Sequence, residues 1–356
     1  KPSGVWIMAY TTIDKPSDYF NTVTYTGNGG TQSITGVGFQ PDWLWIKNRG
    51  ADANHNVVDS VRGSTKIIHP NTVSAEGTDS SSVTSFDSDG FSLGSRGDTN
   101  ANSGTMVAWN WLAGTSFTND ASSTSVGTID SAGSFNNTPG FSIVSYTGTG
   151  SNGTIKHGLN TAPQVVWAKS RTHGTNWTLG FNINSSINFT DAFALNQNYA
   201  LEDYDGYWND TAPTSSVVSL GAHQNTNKSG ENYIAYCFSE KQGYSKFGSY
   251  TGNGNANGTF IYTGFKPAFI IAKKTSSTSD WGIFDNKRNT FNVMDLRLKA
   301  NSSGADDQSS DNNIDFLSNG FKHRTASGWN AAATYIYMSF AENPFVSSSG
   351  VPTTAR

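Results

Sequence analysis

One short motif occurs three times in the chain and constrains its architecture more than any other feature. It reads Tyr-Thr-Gly-Asn-Gly at 25–29, Tyr-Thr-Gly-Thr-Gly at 146–150 and Tyr-Thr-Gly-Asn-Gly at 250–254. The copies start 121 and 104 residues apart, which is too long for a solenoid repeat and suits a small domain. We therefore expect three related modules in tandem.

Each copy of the motif opens the same series of landmarks. A Gly and a Pro follow it, then a hydrophobic stretch that ends in Lys, and finally an aromatic-rich stretch. The hydrophobic stretches are 43–47, 165–169 and 269–273, and the aromatic-rich stretches are 106–111, 233–238 and 335–340. Short, nearly continuous apolar stretches are typical of strands covered on both faces. The predicted fold class is all-β, with three antiparallel β-sandwich or jelly-roll-like modules packed in series.

The landmarks also predict the domain bounds. These are an entry arm at 1–18, module one at 19–117, a linker at 118–139, module two at 140–243, module three at 244–346 and a C-terminal tail at 347–356. We expect a strand at 5–10 and a short helical turn at 292–300. Modules one and three share an Asp-Gly or Asn-Gly hairpin turn, at 89–90 and 319–320. Module two lacks it and is the divergent copy.

Composition excludes several classes of protein. Only 14% of residues are charged, the net charge is −4, and no run of Lys or Arg could follow a phosphate backbone, so we predict no nucleic-acid partner. No apolar stretch reaches the roughly 18 residues that span a bilayer, which predicts no membrane insertion. The single cysteine, Cys237, rules out an intrachain disulfide and is expected to lie in the core.

Two Asp-x-x-Arg pairs recur at equivalent places, Asp59 with Arg62 and Asp285 with Arg288. Each could be a catalytic acid with a substrate clamp. Because a catalytic site rarely needs identical duplicates, we favour a structural ion pair that holds each module together.

The aromatic residues divide into two groups. The Trp residues within the hydrophobic and aromatic-rich stretches are expected in the core, although regular strands would also let them form a sugar-stacking platform. Loop-borne rings are better candidates for a carbohydrate or surface-binding site, because rings mixed with carboxylates suit both sugars and the rims of protein interfaces. These candidates are Tyr199, Tyr204, Tyr207, Trp208 and Trp329.

Neither a cofactor nor a catalytic site is evident in the sequence. The weak candidates for Ca²⁺ ligands are Asp203, Asp205, Asp306 and Asp307, for which solvated loops are the simpler interpretation. The six histidines show no close metal-ligand spacing, and there is no Gly-x-Ser-x-Gly elbow or phosphate-binding loop. We predict that the chain is not an enzyme and binds no cofactor.

Taken together, the motifs resemble a module found in virion proteins of marine tailed bacteriophages. The stretches that carry the resemblance are 39–49, 59–63, 89–91, 107–111, 140–148, 157–159, 244–254 and 338–345, in this order. It covers about residues 16–346. In similar proteins this region follows a lectin-like SPRY-type β-sandwich, and 2–4 with 15–19 resembles the junction after that sandwich. The family supplies no accepted catalytic residues.

The resemblance implies a fibre, tail or capsid appendage on the surface of the virion. We predict a structural protein that mediates adhesion to a host-surface glycan or receptor, with other virion proteins as neighbours. A homotrimer is one hypothesis for its assembly, and the triple repeat could instead give one chain a pseudo-threefold shape of its own. One alternative is a capsid decoration or connector without a ligand. The other is a depolymerase that cleaves host polysaccharide.

Overall fold

Residues 10–345 are described by a computed structural model, and nearly all of them belong to strands or tight loops. Module one forms two antiparallel layers. Its strands are β1 (Phe20–Thr26), β2 (Gln32–Ile34), β3 (Trp43–Asn48), β4 (Asn56–Asp59), β5 (Lys66–Ile67), β6 (Gly77–Thr78), β7 (Val83–Asp87), β8 (Gly90–Leu93) and β9 (Thr105–Trp111). The inner sheet has the order β1-β9-β3-β4, and the outer sheet has the order β2-β8-β7.

Module two repeats this plan with changes. Its strands are β10 (Thr115–Asn119), β11 (Ser131–Asn136), β12 (Phe141–Thr147), β13 (Gly153–Lys156), β14 (Val165–Ser170), β15 (Thr178–Asn184), β16 (Ile187–Asn188), β17 (Asp191–Ala194), β18 (Glu202–Asp203), β19 (Val217–Leu220) and β20 (Asn232–Phe238). The inner sheet places β20 between β12 and β14, as β9 lies between β1 and β3. The outer layer is only the pair β13-β19, because module two lacks the hairpin.

Module three returns to the plan of module one. Its strands are β21 (Ser245–Thr251), β22 (Phe260–Tyr262), β23 (Phe265–Lys274), β24 (Gly282–Asp285), β25 (Leu296–Lys299), β26 (Asp307–Gln308), β27 (Ile314–Leu317), β28 (Gly320–His323) and β29 (Thr334–Pro344). The sheets are β21-β29-β23-β24-β25-β26 and β22-β28-β27. The predicted all-β fold with three related antiparallel modules is confirmed.

The helices of the described residues are single turns. They are α1 (Gly97–Asn100), α2 (Ala121–Thr124), α3 (Asp205–Trp208) and α4 (Gln224–Asn227), with 3₁₀ turns at Pro16–Asp18, Ser310–Asn312 and Gly328–Asn330. The helical turn predicted at 292–300 is wrong, because its second half is strand β25 and pairs with β24.

The linker predicted at 118–139 is also wrong. Strand β10 ends at Asn119 and pairs with β11, which in turn pairs with β12. The Ser-rich and Gly-rich stretch therefore extends the inner sheet of module two. Its own strand propensity is low, and the hydrogen bonds of the neighbouring strand β12 hold it in the sheet.

The two ends of the described chain meet at one residue of module three. The Tyr10 hydroxyl donates to the carbonyl oxygen of Gly264 at 3.0 Å, and the backbone N–H of Phe345 donates to the same oxygen at 3.2 Å. The strand predicted at 5–10 lies outside the described residues except for Tyr10, and the tail at 347–356 lies wholly outside them.

The inner sheets of all three modules face one shared aromatic core. Trp43 of module one lies with its ring centroid 4.8 Å from that of Tyr236 in module two. Phe340 of module three lies 5.5 Å from Trp111 and 6.1 Å from Phe238. Each module thus contacts both others, whereas a packing in series would leave the first and third apart. A second, smaller core fills each sandwich.

Hydrogen bonds between modules repeat around this core in a closed cycle. Directly before the equivalent strands β4, β15 and β24, a ring nitrogen forms a hydrogen bond with a carbonyl oxygen of the preceding module. The pairs are Trp177 with His69 (3.0 Å), Trp281 with Ala194 (3.0 Å) and His55 with Lys299 (3.1 Å). Backbone bonds follow the same cycle, from Glu76 to Arg171, from Leu201 to Thr275 and from Asp306 to Arg49. The chain therefore has the interfaces of a pseudo-threefold ring.

Candidate functional site

The tyrosine of the Tyr-Thr-Gly motif forms the same hydrogen bond in every module. The Tyr hydroxyl donates to a backbone carbonyl oxygen just before the last inner strand, from Tyr25 to Thr99 (2.6 Å), from Tyr146 to Thr226 (2.6 Å) and from Tyr250 to Trp329 (2.9 Å). The next residue in each case is a buried asparagine, namely Asn100, Asn227 or Asn330. These asparagines were not predicted from the sequence, although each follows its motif by about the same distance.

The asparagine holds the glycine loop of the motif. In module two, the Asn227 side chain accepts from the backbone N–H of Thr149 at 2.8 Å and donates to the carbonyl oxygens of Ser151 and Gly221 at 2.7 and 3.0 Å. The first glycine of the motif, Gly148, has no room for a side chain, because a Cβ there would overlap the carbonyl oxygen of Lys228. The motif is therefore structural, and its polar groups are already bonded within the protein.

The two Asp-x-x-Arg pairs lie inside the ring of modules. The side chains of Asp59 and Arg62 are fully buried and bonded at 2.5 Å, and Asp59 also accepts from the hydroxyl of Tyr236 in module two at 2.6 Å. In the same way Asp285, which pairs with Arg288, accepts from the indole N–H of Trp109 at 3.1 Å. Each pair thus joins its own module to a neighbour and is closed to a ligand.

Module two carries apolar residues at the equivalent interface. Strand register places Phe181 opposite Val165, where the other modules have Asp59 opposite Trp43 and Asp285 opposite Phe269. On the partner side, Met338 stands where Tyr236 and Trp109 stand in the other modules. Phe181 and Met338 both belong to the central core. Loss of the charges in module two is therefore matched by loss of their polar partner.

An open cleft lies on module two beside the segment 199–208. It has a volume of about 480 Å³ and is lined by Asn176, Thr178, Ala192, Phe193, Ala194, Tyr199, Ala200, Leu201, Glu202, Tyr207 and Asn225. Tyr199 is 59% exposed at its edge. Strand β18 pairs with β17 on one side of the cleft, and the single turn α3 then directs Tyr207 back toward it.

Three rings and a carboxylate pack together at this cleft. Tyr207 lies 4.9 Å from Tyr204 and 4.8 Å from His223, with the ring planes nearly perpendicular. The Tyr207 hydroxyl donates to Glu202 at 3.1 Å. Burial and the neighbouring Glu202 raise the pKa of Tyr207, and burial lowers the pKa of His223. At neutral pH Tyr207 and His223 are thus uncharged, and the Tyr207 hydroxyl holds the side chain of Glu202 in place.

Two polar side chains of the cleft lining have hydrogen-bonding groups that the described residues leave unused. Thr178 is only 2% exposed, and its buried hydroxyl oxygen has no partner among the described residues. The side-chain oxygen of Asn176 accepts from Asn196 at 2.8 Å and from Gln197 at 3.4 Å, and within the described residues its amide N–H groups donate to no acceptor. An unpaired buried hydroxyl is costly unless something else bonds it. Thr178, Asn176 and Asn225 were not predicted from the sequence.

The five predicted surface rings differ in their exposure to solvent. Tyr199 lies exposed at the cleft, Tyr204 is exposed but packs on Tyr207 outside the cleft lining, and Tyr207 is 8% exposed. The prediction is wrong for Trp208 and Trp329, which are 0% and 3% exposed. The turn α3 directs Trp208 inward, where its ring lies 5.4 Å from that of Phe189. In module three, Trp329 is covered by Phe284 at 5.8 Å and by the guanidinium of Arg297.

Module three has a smaller cavity at the equivalent place. Arg297 pairs with Asp307 across strands as Ala192 pairs with Glu202. The cavity between them has a volume of about 180 Å³, because the Arg297–Asp307 ion pair and Trp329 fill the space that is open in module two. The divergent module therefore carries the wide version of a shared cleft.

The predicted calcium ligands are not brought together. Asp306 is bonded to Arg49 and Arg288, both at 2.8 Å, and Asp307 is bonded to Arg297. Since arginines occupy these carboxylates, the prediction is wrong for Asp306 and Asp307. Asp203 and Asp205 lie exposed in module two. Residues 10–345 contain no group of three His, Cys, Asp or Glu side chains that could hold a metal ion.

Comparison with known proteins identifies a family of unknown function. Residues 15–344 match the family described as Domain of unknown function (DUF7483), and the chain belongs to it. No curated protein matches the chain. Within the described part of the chain, no helix is long and apolar enough to cross a membrane.

Proposed function

We propose that this DUF7483 chain is a non-catalytic adhesion protein that binds glycans in the cleft of module two. The observation that carries the proposal is the combination of the exposed Tyr199 ring with polar side chains, Asn176, Thr178 and Glu202, in one cleft of about 480 Å³. That volume lies within the usual range for small-molecule sites. The other conspicuous side chains, in the motif and in the buried ion pairs, are engaged inside the protein.

Sugars need the two kinds of group that line this cleft. The C–H face of a pyranose is apolar and packs on an aromatic ring, here Tyr199 at the edge. Its hydroxyls need directional donors and acceptors, which Thr178, Asn176 and Glu202 supply. A site that hydrogen-bonds hydroxyls rejects ligands without them, because its buried polar groups would then stay unpaired.

We place this activity on the surface of a tailed-phage virion, as a fibre or tail-associated appendage that contacts other virion proteins and a host-surface glycan. The resemblance of 16–346 to virion proteins supports this, as does a surface poor in charge and rich in Ser, Thr and Asn. One cleft binds weakly, and many copies on a particle raise the avidity. Homotrimerisation is one way to present such copies. A monomeric mass at high protein concentration would refute it.

Glycan-array binding followed by calorimetry tests the glycan proposal. We expect the wild-type protein to bind a subset of glycans, and Tyr199→Ala and Thr178→Val each to weaken that binding at least about tenfold. The matched control is Tyr262→Ala, because Tyr262 is a similarly exposed tyrosine (54%) on module three. It should bind as the wild type does.

The array also separates the alternative functions. No binding to any glycan would refute adhesion through sugars and leave a decoration or connector protein. New reducing ends after incubation with host polysaccharide would instead show a depolymerase, which needs two carboxylates about 5–9 Å apart around the scissile bond. Glu202 is the one carboxylate among the residues that line the cleft.

A further inference from the structure

We propose that the cleft selects an uncharged sugar residue and rejects uronic acids and other acidic sugars, with Glu202 as the residue that sets this specificity. The inference rests on the proposed function and adds the chemical class of the ligand. It follows from the charges and free hydrogen-bonding atoms at the cleft.

The charges at the cleft are all of one sign. Of the eleven residues that line it, Glu202 is the one carboxylate, and none is Lys, Arg or His. His223, which packs on Tyr207, has its pKa lowered by burial and is neutral at pH 7. An acidic ligand would therefore enter without a cation to pair with, and like charges in contact disfavour binding.

Further carboxylates lie near the cleft without lining it. Asp203 pairs with Asp191 across strands β18 and β17. Burial raises the pKa of Asp191, and the charges of Asp203 and Asp210 raise it further. Successive strand residues point to opposite faces, so Asp191 and Asp203 are directed away from the face that carries Ala192 and Glu202. The charge selection therefore depends on Glu202 and on a lining without Lys or Arg.

Glu202 is built to accept hydrogen bonds from hydroxyl groups. A carboxylate has acceptor sites only, and one of its oxygens already accepts from the Tyr207 hydroxyl at 3.1 Å. That bond orients the carboxylate and leaves its other oxygen for a sugar hydroxyl. A hydroxymethyl or ring hydroxyl can donate to it, whereas an ionised carboxylate or sulfate at the same place cannot.

Paired ligands test the inference on the full chain. The probes are the methyl glycosides of glucose, galactose and mannose, each with its uronic-acid counterpart, titrated by saturation-transfer NMR at pH 7. We expect at least one neutral glycoside to bind about tenfold or more tightly than its uronate. Glu202→Gln keeps an acceptor for Tyr207 and removes the charge, so it should reduce that ratio to below about threefold by raising the affinity for the uronate.

Salt dependence gives a second measurement that needs no variant. For the wild-type protein, raising the salt from about 50 to about 500 mM should strengthen uronate binding and leave the neutral glycoside unchanged, since salt screens only the repulsion. Equal binding of both members of every pair, or tighter binding of the uronates, would overturn the charge selection and leave glycan binding intact. If no probe binds and no glycan on the array binds, the proposed function itself fails.

Discussion

Replacing Arg62 by Met should expose how the ring of modules is held together. The Arg62 side chain is fully buried and donates to Asp59 at 2.5 Å, to the carbonyl oxygens of Val57 and Lys66 at 3.1 Å, and to the Tyr236 hydroxyl at 3.3 Å. Without it, Asp59 keeps the bonds from Tyr236 and from the backbone N–H of residue 62. Its charge, however, is left buried without a cation.

Removing one partner of a buried ion pair costs about 3–5 kcal/mol of unfolding free energy. The entropy of unfolding is roughly 2.1 cal/mol/K per residue, so for 356 residues each kcal/mol lowers the melting temperature by about 1.3 °C. We therefore expect Arg62→Met to melt about 4–7 °C lower than the wild type. Removing both charges in Asp59→Leu/Arg62→Met should cost less than Arg62→Met alone, since no unpaired charge remains.

Thermal and urea denaturation measure these differences, and Arg96→Met is the matched control. Arg96 pairs with Asp79 and Asp98 in the same module, but its side chain is 27% exposed, so its loss should cost less than about 1 kcal/mol. If Arg62→Met is no more destabilised than Arg96→Met, or if Asp59→Leu/Arg62→Met loses as much stability as Arg62→Met or more, the buried-charge argument is wrong.

Three further substitutions test other parts of the fold. Gly27→Ala should lower the stability by about 3 kcal/mol or more in urea titrations, because its Cβ would overlap the carbonyl oxygen of Ala101, whereas Gly77→Ala, with open space at its Cβ, should be nearly neutral. Burial lowers the pKa of His323 to about 3, below its unfolded value of about 6.5, so its contribution to stability is lost as pH falls from about 6.5 toward 3. His323→Leu should remove that loss, about 2 kcal/mol at pH 5 relative to pH 7, and an unchanged pH profile would refute the assignment. Burial likewise lowers the pKa of Lys169 to about 7, so Lys169→Met should raise the melting temperature at pH 7 and flatten the rise in stability between pH 7 and 10; a lower melting temperature would contradict this.

The sequence was sufficient to predict the module architecture, because motif, central strand and final strand recur in the same order. The triple repeat left a pseudo-threefold shape of one chain open as an alternative to a homotrimer, but it did not decide between a ring and modules packed in series. The indole N–H groups of Trp177 and Trp281 find their partners among backbone carbonyl oxygens, and a backbone acceptor has no side chain by which a sequence could show it. The strands at 115–119 and 131–136 were not predicted for a similar reason. Stretches rich in Ser and Gly have little strand propensity of their own and form strands where a neighbouring strand supplies the hydrogen bonds.

The candidate site was predicted in part. The mix of rings and carboxylates in 199–208 predicted a binding surface, and Tyr199 and Tyr204 do lie exposed. The inward direction of Trp208 depends on the single turn α3, which is too short to leave a periodic pattern. Thr178 belongs to a strand that is buried on both faces at that point. Its sequence pattern is therefore that of a core strand and does not indicate an unpaired hydroxyl beside a cleft.

The closed ring of interfaces has a consequence for how such a protein can change. In a trimer of identical chains, every substitution appears three times, so a new site arises in triplicate or not at all. Here the three positions are encoded separately, and the interfaces between modules form within one chain whatever the protein concentration. Module two could therefore lose its ion pair and widen its cleft while the other two kept the scaffold rigid. A ligand that binds this cleft will occupy one place per chain.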